Sequence, residues 1–260
     1  MRKYMLDMRV VSNETLSDRC FLLKLTSGQA LPEMLPGQFV QVRVDGSPST
    51  FLRRPISIHY VDKERNALWL LVQTVGDGTR NLSILKVGDK LNLLLPLGNG
   101  FSSWENYSYK RPPLLVGGGV GVAPLLYLAA CLLARGITPE IYLGARSKSD
   151  LVQVDCFKKY GQVRTITENE ANEEGRKGFV TALLEECADR MVYVCGPKPM
   201  MQAVAKIVKQ QGGDCEVSLE NSMACGLGAC LCCVEDTKEG NQCVCTKGPV
   251  FNINDLKWQI

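Results

Sequence analysis

The stretch Cys225-Gly226-Leu227-Gly228-Ala229-Cys230-Leu231-Cys232-Cys233, with Cys243 and Cys245 a short hairpin's length further on, holds six of the twelve cysteines of the chain within 21 residues. Read as Cys225-x4-Cys230-x2-Cys233-x11-Cys245, the spacing follows the C-x4-C-x2-C…C arrangement of plant-type [2Fe–2S] ligation. Four thiolates suit two bridged irons because sulfur is a soft, charge-donating ligand that tolerates a one-electron change. Gly226 and Gly228 allow the tight turns and inward-facing N–H groups that a loop wrapped around a cluster needs. Two plainer readings compete. Structural zinc usually takes two C-x2-C pairs or Cys with His, whereas here there is one such pair, a Cys-x-Cys and a single distant histidine, His59. Disulfides require an oxidising compartment. A second register, Cys225/Cys230/Cys232/Cys243, is also conceivable, but the x4/x2 spacing favours the first and leaves Cys232 and Cys243 as spectators.

Two stretches in the first half could bind phosphates. In Phe51-Leu52-Arg53-Arg54-Pro55-Ile56-Ser57-Ile58-His59, tandem arginines before a proline-set strand offer charge-assisted hydrogen bonds to a pyrophosphate, and Ser57 offers a hydroxyl to a ring edge. In Gln73-Thr74-Val75-Gly76-Asp77-Gly78-Thr79-Arg80-Asn81-Leu82, paired glycines before a helix start make an anion site. A solvated basic turn and a plain Gly-Asp-Gly turn are the bland alternatives. Taken together, the two stretches suit one elongated diphosphate cofactor.

The elements that must position these groups fall into three blocks. Residues 1–103 read as short strands punctuated by Pro36-Gly37, Asp45-Gly46 and Val87-Gly88-Asp89, the pattern of a sandwich or barrel. Phe39 to Val44 alternates as a half-buried strand does. After a polar linker, Ser102 to Arg111, residues 104–215 alternate strands and helices as a parallel α/β sheet does. Strands are expected at Leu114–Val116, Ile141–Leu143, Val163–Ile166 and Met191–Val194. Helices are expected at 125–134, 150–160, near 180–188 and at 199–209. The turn Gly117-Gly118-Gly119-Val120-Gly121-Val122-Ala123-Pro124 lies where dinucleotide phosphates meet a helix N-terminus, although Pro124 replaces the third glycine of the fingerprint. No acidic residue ends the second strand. Arg146 stands there instead, leaving NAD against NADP open. Residues 216–260 form a module too small for a core of its own, which a cluster would staple.

Composition narrows the function classes. Net charge is +3 with scattered basic residues, which gives no nucleic-acid footprint. Met1 to Arg9 lacks the apolar core of a signal peptide. The uncharged run Leu114–Ala134 is broken by four glycines and Pro124, so a buried strand, turn and packed helix explain it better than a membrane span. A cytoplasmic, reducing compartment is expected. With His59 as the only histidine and no nucleophile–base pair around it, a hydrolase is excluded.

Arg54-Pro55-Ile56-Ser57, Gly76-Asp77-Gly78-Thr79, Gly117-Gly118-Gly119-Val120-Gly121 and Cys195-Gly196-Pro197, in that order, resemble the ferredoxin reductase-type flavoproteins. The run Met223-Ala224-Cys225-Gly226 through Cys245-Thr246-Lys247-Gly248-Pro249-Val250-Phe251 resembles the iron–sulfur electron-transfer subunits of B-type, NAD-dependent dihydroorotate dehydrogenases. The resemblance covers essentially the whole chain. It implies an FAD-binding Greek-key β-barrel, a Rossmann-like NAD-binding domain and a small C-terminal [2Fe–2S] module. It also implies that Arg54, Pro55, Ile56 and Ser57 meet FAD, that Leu71, Val72 and Gln73 line its ribityl and ring region, and that Gly78 with Thr79 holds its pyrophosphate. Gly118, Gly119, Gly121, Cys195 and Gly196 would frame the nicotinamide nucleotide. Cys225, Cys230, Cys233 and Cys245 would ligate the cluster. The implied partner is an FMN-containing catalytic subunit in a 2+2 heterotetramer. Relatives of the same build, such as the small subunit of an NADH–ferredoxin:NADP oxidoreductase or an anaerobic sulfite reductase subunit, would share these motifs. The four cysteines weigh against the first, whose loop carries an aspartate ligand. A zinc-stapled nucleotide-binding module is the alternative outside enzymes. A colourless rather than yellow-brown protein would reveal it.

Overall fold

A computed structural model describes residues 2–102 and 104–260; Met1 at the start and Ser103 in the expected linker lie outside them. The chain forms β1 (Tyr4–Ser17), β2 (Cys20–Thr26), β3 (Phe39–Val42), β4 (Arg54–Asp62), β5 (Ala67–Gln73), α1 (Asp77–Ser83) and β6 (Lys90–Leu97). The six strands close into a barrel in the order β1-β2-β5-β4-β3-β6. In β1, Leu6, Met8 and Val10 point inward while Met5, Asp7 and Arg9 face out, the period-two pattern of a strand with one buried face. β3 departs from the expected alternation: Phe39, Val40, Gln41 and Val42 are all buried. Val40 and Val42 enter the barrel core, whereas Phe39 joins the core of the second half of the chain. The outer face of this strand is therefore covered by later residues.

The second half continues with β7 (Leu114–Gly118), α2 (Ala123–Leu133), β8 (Glu140–Ala145), α3 (Val154–Phe157), β9 (Gln162–Thr167), β10 (Met191–Cys195), α4 (Lys198–Gln210) and β11 (Asp214–Ser218). It ends in β12 (Val234–Thr237), β13 (Gly240–Cys243), α5 (Val244–Lys247) and β14 (Val250–Asn252). The main sheet runs β14-β11-β10-β7-β8-β9, parallel except for the antiparallel edge pair β11/β14. β7 and β10 are neighbours, and the chain leaves them in opposite directions across the sheet. Ligands bind at such a reversal in an open α/β sheet, beyond the carboxyl ends of the strands.

Two expected helices are shorter than the sequence suggests. The one placed at 150–160 reduces to α3, because Gln153 takes a left-handed conformation (φ 62°) and starts a new turn there. The one placed at 180–188 is a single 3-10 turn, Val180–Leu183, after which Leu184 turns extended. Tertiary bonds replace the missing helical ones: Cys187 N–H donates to Gln211 Oε1 at 2.7 Å. No helix among the described residues is long and apolar enough to cross a membrane; the uncharged run divides into β7, a 3-10 turn and α2, as expected. α2 is apolar nearly all round because both sides are covered. Its Tyr127 belongs to the barrel core, where the hydroxyl donates to Met34 O at 3.3 Å.

The last 45 residues do not stand apart. β11 runs across residue 215, and β14 completes its sheet. Cys233, Val244, Cys245, Phe251, Ile253 and Leu256 pack in one core with Phe39, Leu97, Val194 and Val204. Asn99, at the end of the barrel, donates its backbone N–H to Gly248 O (2.7 Å) and its side-chain amide to Thr246 O and Lys247 O (3.1 and 3.0 Å).

His59 locks the two halves together. Its Nδ1 lies 2.8 Å from Ala123 O at the start of α2, and complete burial, the dominant cause, holds its pKa down to about 4. Unfolded, the ring would titrate near its ordinary value of about 6.5. Between these values the unfolded chain binds the extra proton, so stability falls as pH drops through this window. Chemical denaturation should show a loss of about 2 kcal/mol from this residue between pH 7.5 and pH 5. That component should vanish in His59→Asn, which keeps a donor toward Ala123; an undiminished loss in the variant would contradict the assignment.

Candidate functional site

β4 and β5 pair from Ile58↔Leu70 to Asp62↔Ala67 and then separate. Beyond that point Arg54–Ser57 pair only with β3, and Leu71–Gln73 only with β2. The two backbone edges thus face each other without closing a ladder. Proline at 55 is tolerated because its ring stands at this open edge. Arg54, Pro55, Ile56 and Ser57 are all half-buried. Leu71 packs toward the second half of the chain and Val72 into the barrel, so Val72 can meet a ligand only through its backbone.

At one end of this slot stands α1. A Cβ on Gly78 would lie 2.7 Å from Arg54 Nε, so the glycine makes room for the arginine. The Arg54 guanidinium has no carboxylate partner within ion-pair distance among the described residues. Arg53 is committed elsewhere, to the backbone carbonyls of Gln41 and Asn92 at 3.2 and 2.9 Å. The expected tandem therefore resolves into one structural and one available arginine. The Thr79 hydroxyl accepts from the N–H groups of Val75 and Gly76 at 2.9 and 3.2 Å; it shapes the loop instead of pointing outward. The first helical hydrogen bond runs from Arg80 N–H to Gly76 O, leaving the first-turn N–H groups without intrahelical partners. An unpaired arginine, helix-start donors and a slot with free backbone edges fit a flavin with its diphosphate.

Gln73 also lines the next site, a cleft of about 640 Å³ that includes Gly118, Gly119, Arg146, Pro197, Met200 and Glu220. The backbone beneath its lining, where Gly121, Cys195 and Gly196 lie, is built by close approach. A Cβ on Gly121 would fall 2.5 Å from Gly196 Cα, and one on Gly118 would fall 2.3 Å from Met200 Sδ. Gly119 has open space above it and a φ of +55°, which glycine adopts at no steric cost. Beside this backbone the Cys195 thiol points toward Glu220 Oε1, 3.8 Å away. Burial pushes the Cys195 thiol well above its ordinary value. Glu220 keeps surface open to the cleft, yet the surrounding walls remove enough water to raise its carboxyl as well. Sequence reasoning missed Glu220; the available signal was an acidic side chain two residues after the last parallel strand. It also missed Glu168, which follows β9 and lines the cleft together with Arg146. The acidic group absent from the end of β8 is supplied by the adjacent strand. Glycine close approach and a polar rim suit a dinucleotide.

The third site is the cysteine loop, whose thiols lie close to one another. Cys225 lies against Cys230, and Cys233 against Cys245; the Cys245 N–H also points at Cys233 Sγ, at 3.4 Å. Among the described residues no three metal-binding side chains converge on one ion. The four thiols of the expected spacing fit a [2Fe–2S] cluster by donor type. Cys230 is exposed, whereas Cys233 and Cys245 are buried, so one pair faces outward and the other inward. The Leu227 N–H, 3.3 Å from Cys225 Sγ, is the main cause holding that thiol down to about 6; burial pushes Cys245 up to about 12. The Cys232 thiol donates to Ser222 O at 3.6 Å. Cys243 lies against Cys233, closer to the four than expected.

Comparison with known proteins agrees with this geometry. The family described as the iron–sulfur cluster binding domain of dihydroorotate dehydrogenase B matches residues 220–257, and the oxidoreductase NAD-binding domain matches residues 115–206. The dihydroorotate dehydrogenase B (NAD(+)) electron transfer subunit of Caldanaerobacter subterraneus subsp. tengcongensis is 38% identical, over 96% of this chain and 97% of the relative. That of Fusobacterium nucleatum subsp. nucleatum is 36% identical, over 96% and 98%. A solved NADH-dependent reduced ferredoxin–NADP oxidoreductase superposes with a TM-score of 0.82 at 27% identity, covering 96% of this chain and 90% of that one. A ferredoxin NADP+ reductase from Neisseria gonorrhoeae with bound FAD and NADP (TM-score 0.66, 15% identity, 80% and 92% covered) shares the fold.

Gly121→Ala should disturb the turn beneath the cleft, since the methyl group meets the backbone of Cys195 and Gly196 at 2.5–2.6 Å, at a cost of about 1–3 kcal/mol. NADH binding should weaken at least about tenfold, read by titration of the flavin-loaded protein; unchanged binding would contradict this placement. A barrel with an open flavin slot, a nucleotide cleft at the strand reversal and a loop of close-set cysteines, together with relatives matching along nearly the full length, place this chain in the family of dihydroorotate dehydrogenase B (NAD(+)) electron transfer subunits.

Proposed function

We propose that this chain is the electron-transfer subunit of an NAD-dependent dihydroorotate dehydrogenase, serving pyrimidine biosynthesis and linking the oxidation of dihydroorotate on a partner subunit to NAD. The observation that carries this reading is the adjacency of the three sites: Gln73 is shared by slot and cleft, and the cysteine loop rests on β3, the neighbour of the slot strand β4. FAD exchanges a hydride equivalent with nicotinamide and a [2Fe–2S] cluster accepts one electron at a time, so together they convert paired electrons into single ones. The protein's own contribution is placement. Arg54, the Gly78 turn and the open edges of β4 and β5 hold the flavin; Gly118, Gly119, Gly121 and Gly196 let a nicotinamide nucleotide approach it. Cys225, Cys230, Cys233 and Cys245 ligate the cluster. Near-attack geometry is then the source of rate, with little demand for acid–base residues.

The partner is an FMN-containing catalytic subunit in a 2+2 assembly. Two features support docking at the cysteine loop. Leu231 exposes 65% of its surface while holding a positive φ of 56°, an uncommon conformation for a non-glycine residue. Leu227 is exposed beside it. An apolar rim around the outward-facing thiol pair suits a protein partner. Twelve free thiols, with no disulfide among the described residues, suit the reducing cytoplasm.

Co-expression with an FMN-barrel subunit tests the reading. Dihydroorotate should reduce NAD only when both chains are present. Cys230→Ser should abolish that transfer while the variant chain retains its FAD; transfer persisting in the variant would remove the cysteine loop from the route. Leu231→Asp should weaken the assembly at least about tenfold, measured by analytical ultracentrifugation, and an unaltered assembly would place the interface elsewhere.

A further inference from the structure

Gln41 is a polar residue in the middle of a barrel strand with no solvent contact: it is 0% exposed. Neither its carboxamide nitrogen nor its carboxamide oxygen has a hydrogen-bond partner among the described residues. Leaving a buried amide unsatisfied is costly, and an apolar side chain at this position would avoid that cost. The side chain points out of the barrel, and Gly226 covers it. A Cβ on Gly226 would lie 2.7 Å from Gln41 Nε2 and 2.8 Å from its Cγ, so the loop backbone rests directly on the carboxamide. Gly226 holds a φ of +69° and follows Cys225 in the chain. On the strand side, Gln41 pairs with Pro55 of the flavin slot, and its backbone carbonyl accepts from Arg53. One unpartnered amide thus stands between the edge strand of the slot and the first cysteine of the loop.

We propose that Gln41 is a positioning residue for the iron–sulfur cluster, with its carboxamide N–H donating to sulfur held by the Cys225 loop. The inference rests on the proposed cluster ligation. It assigns the amide a definite acceptor chemistry, a thiolate or sulfide sulfur. Hydrogen bonds to cluster sulfurs stabilise the more negative, reduced state and raise the reduction potential, and outer-shell partners also orient the ligands. Because the donor comes from the barrel and not from the loop itself, it ties the energy of the cluster to the element that carries the flavin. It also explains why glycine is required at 226: any side chain would have to displace the amide as well as adopt a left-handed backbone.

The test uses the full chain, reconstituted anaerobically with FAD, iron and sulfide. Wild-type protein is first assayed for iron and acid-labile sulfide; their absence would sink the cluster reading itself, a failure distinct from that of this inference. Gln41→Leu is then compared with wild type in a potentiometric titration followed by EPR, with the flavin couple in the same sample as reference. The expected result is a cluster potential lowered by about 59 mV, equivalent to a tenfold smaller reduced-to-oxidised ratio at a given potential, with the flavin couple unmoved. An unshifted cluster, or a shift confined to the flavin, would overturn the inference. If Gln41→Leu does not assemble, wild-type protein carrying 15N-glutamine decides the matter. Pulsed EPR of the reduced cluster should detect coupling to a side-chain nitrogen that is lost in Gln41→Asn, and absence of that coupling in wild type would overturn the inference.

Discussion

The structure depends on continuous packing from the barrel through α2 into the parallel sheet and on to the cysteine segment. Tyr127 of α2 is part of the barrel core, Phe39 of the barrel is part of the sheet core, and Cys233 and Cys245 share that second core. A chain that moves electrons between groups bound in different modules needs their separation fixed, because rate depends on positioning. Here the separation is fixed by buried contacts and not by linkers. A cysteine module without a core of its own gains rigidity from Asn99, which holds three successive residues, Thr246, Lys247 and Gly248, against the barrel rim.

Close approach recurs at each site, and it explains the glycines better than flexibility does. Gly78 makes room for Arg54, Gly121 for Gly196, Gly226 for Gln41, and Gly98 for Pro249. In each case a side chain would meet an atom that belongs to a different element. Gly119 and Gly178 line the open cleft with nothing near an added Cβ, which leaves their backbone accessible to a nucleotide. Four polar residues near the sites divide in two. Arg53 and Thr79 find their partners within the fold. Arg54 and Gln41 have partners left to find.

The sequence made some of this plain and hid the rest, for physical reasons. The cysteine spacing and the glycine turn were legible because tight loops leave short-range signatures. Strand positions were legible because the barrel keeps a period of two. β3 misled because Gln41 breaks the apolar pattern while being covered by residues some 185 positions later, a tertiary effect that no local pattern carries. The helices expected at 150–160 and 180–188 failed similarly: apolar content was right for burial, but Gln153 turns left-handed and Gln211 takes over a backbone N–H. Glu220 and Glu168 escaped because they follow strand ends without a motif of their own, and only the strand order brings them to one cleft.

The central claim is that flavin and cluster exchange electrons within this one chain, across contacts fixed by its fold. Anaerobic titration of the reconstituted chain with NADH, without any partner, tests it most directly when flavin absorption and EPR are followed together. The account predicts that a reduced [2Fe–2S] signal develops as the flavin bleaches. Flavin bleaching with no cluster signal, in protein shown to contain full iron and sulfide and whose cluster dithionite readily reduces, would contradict it.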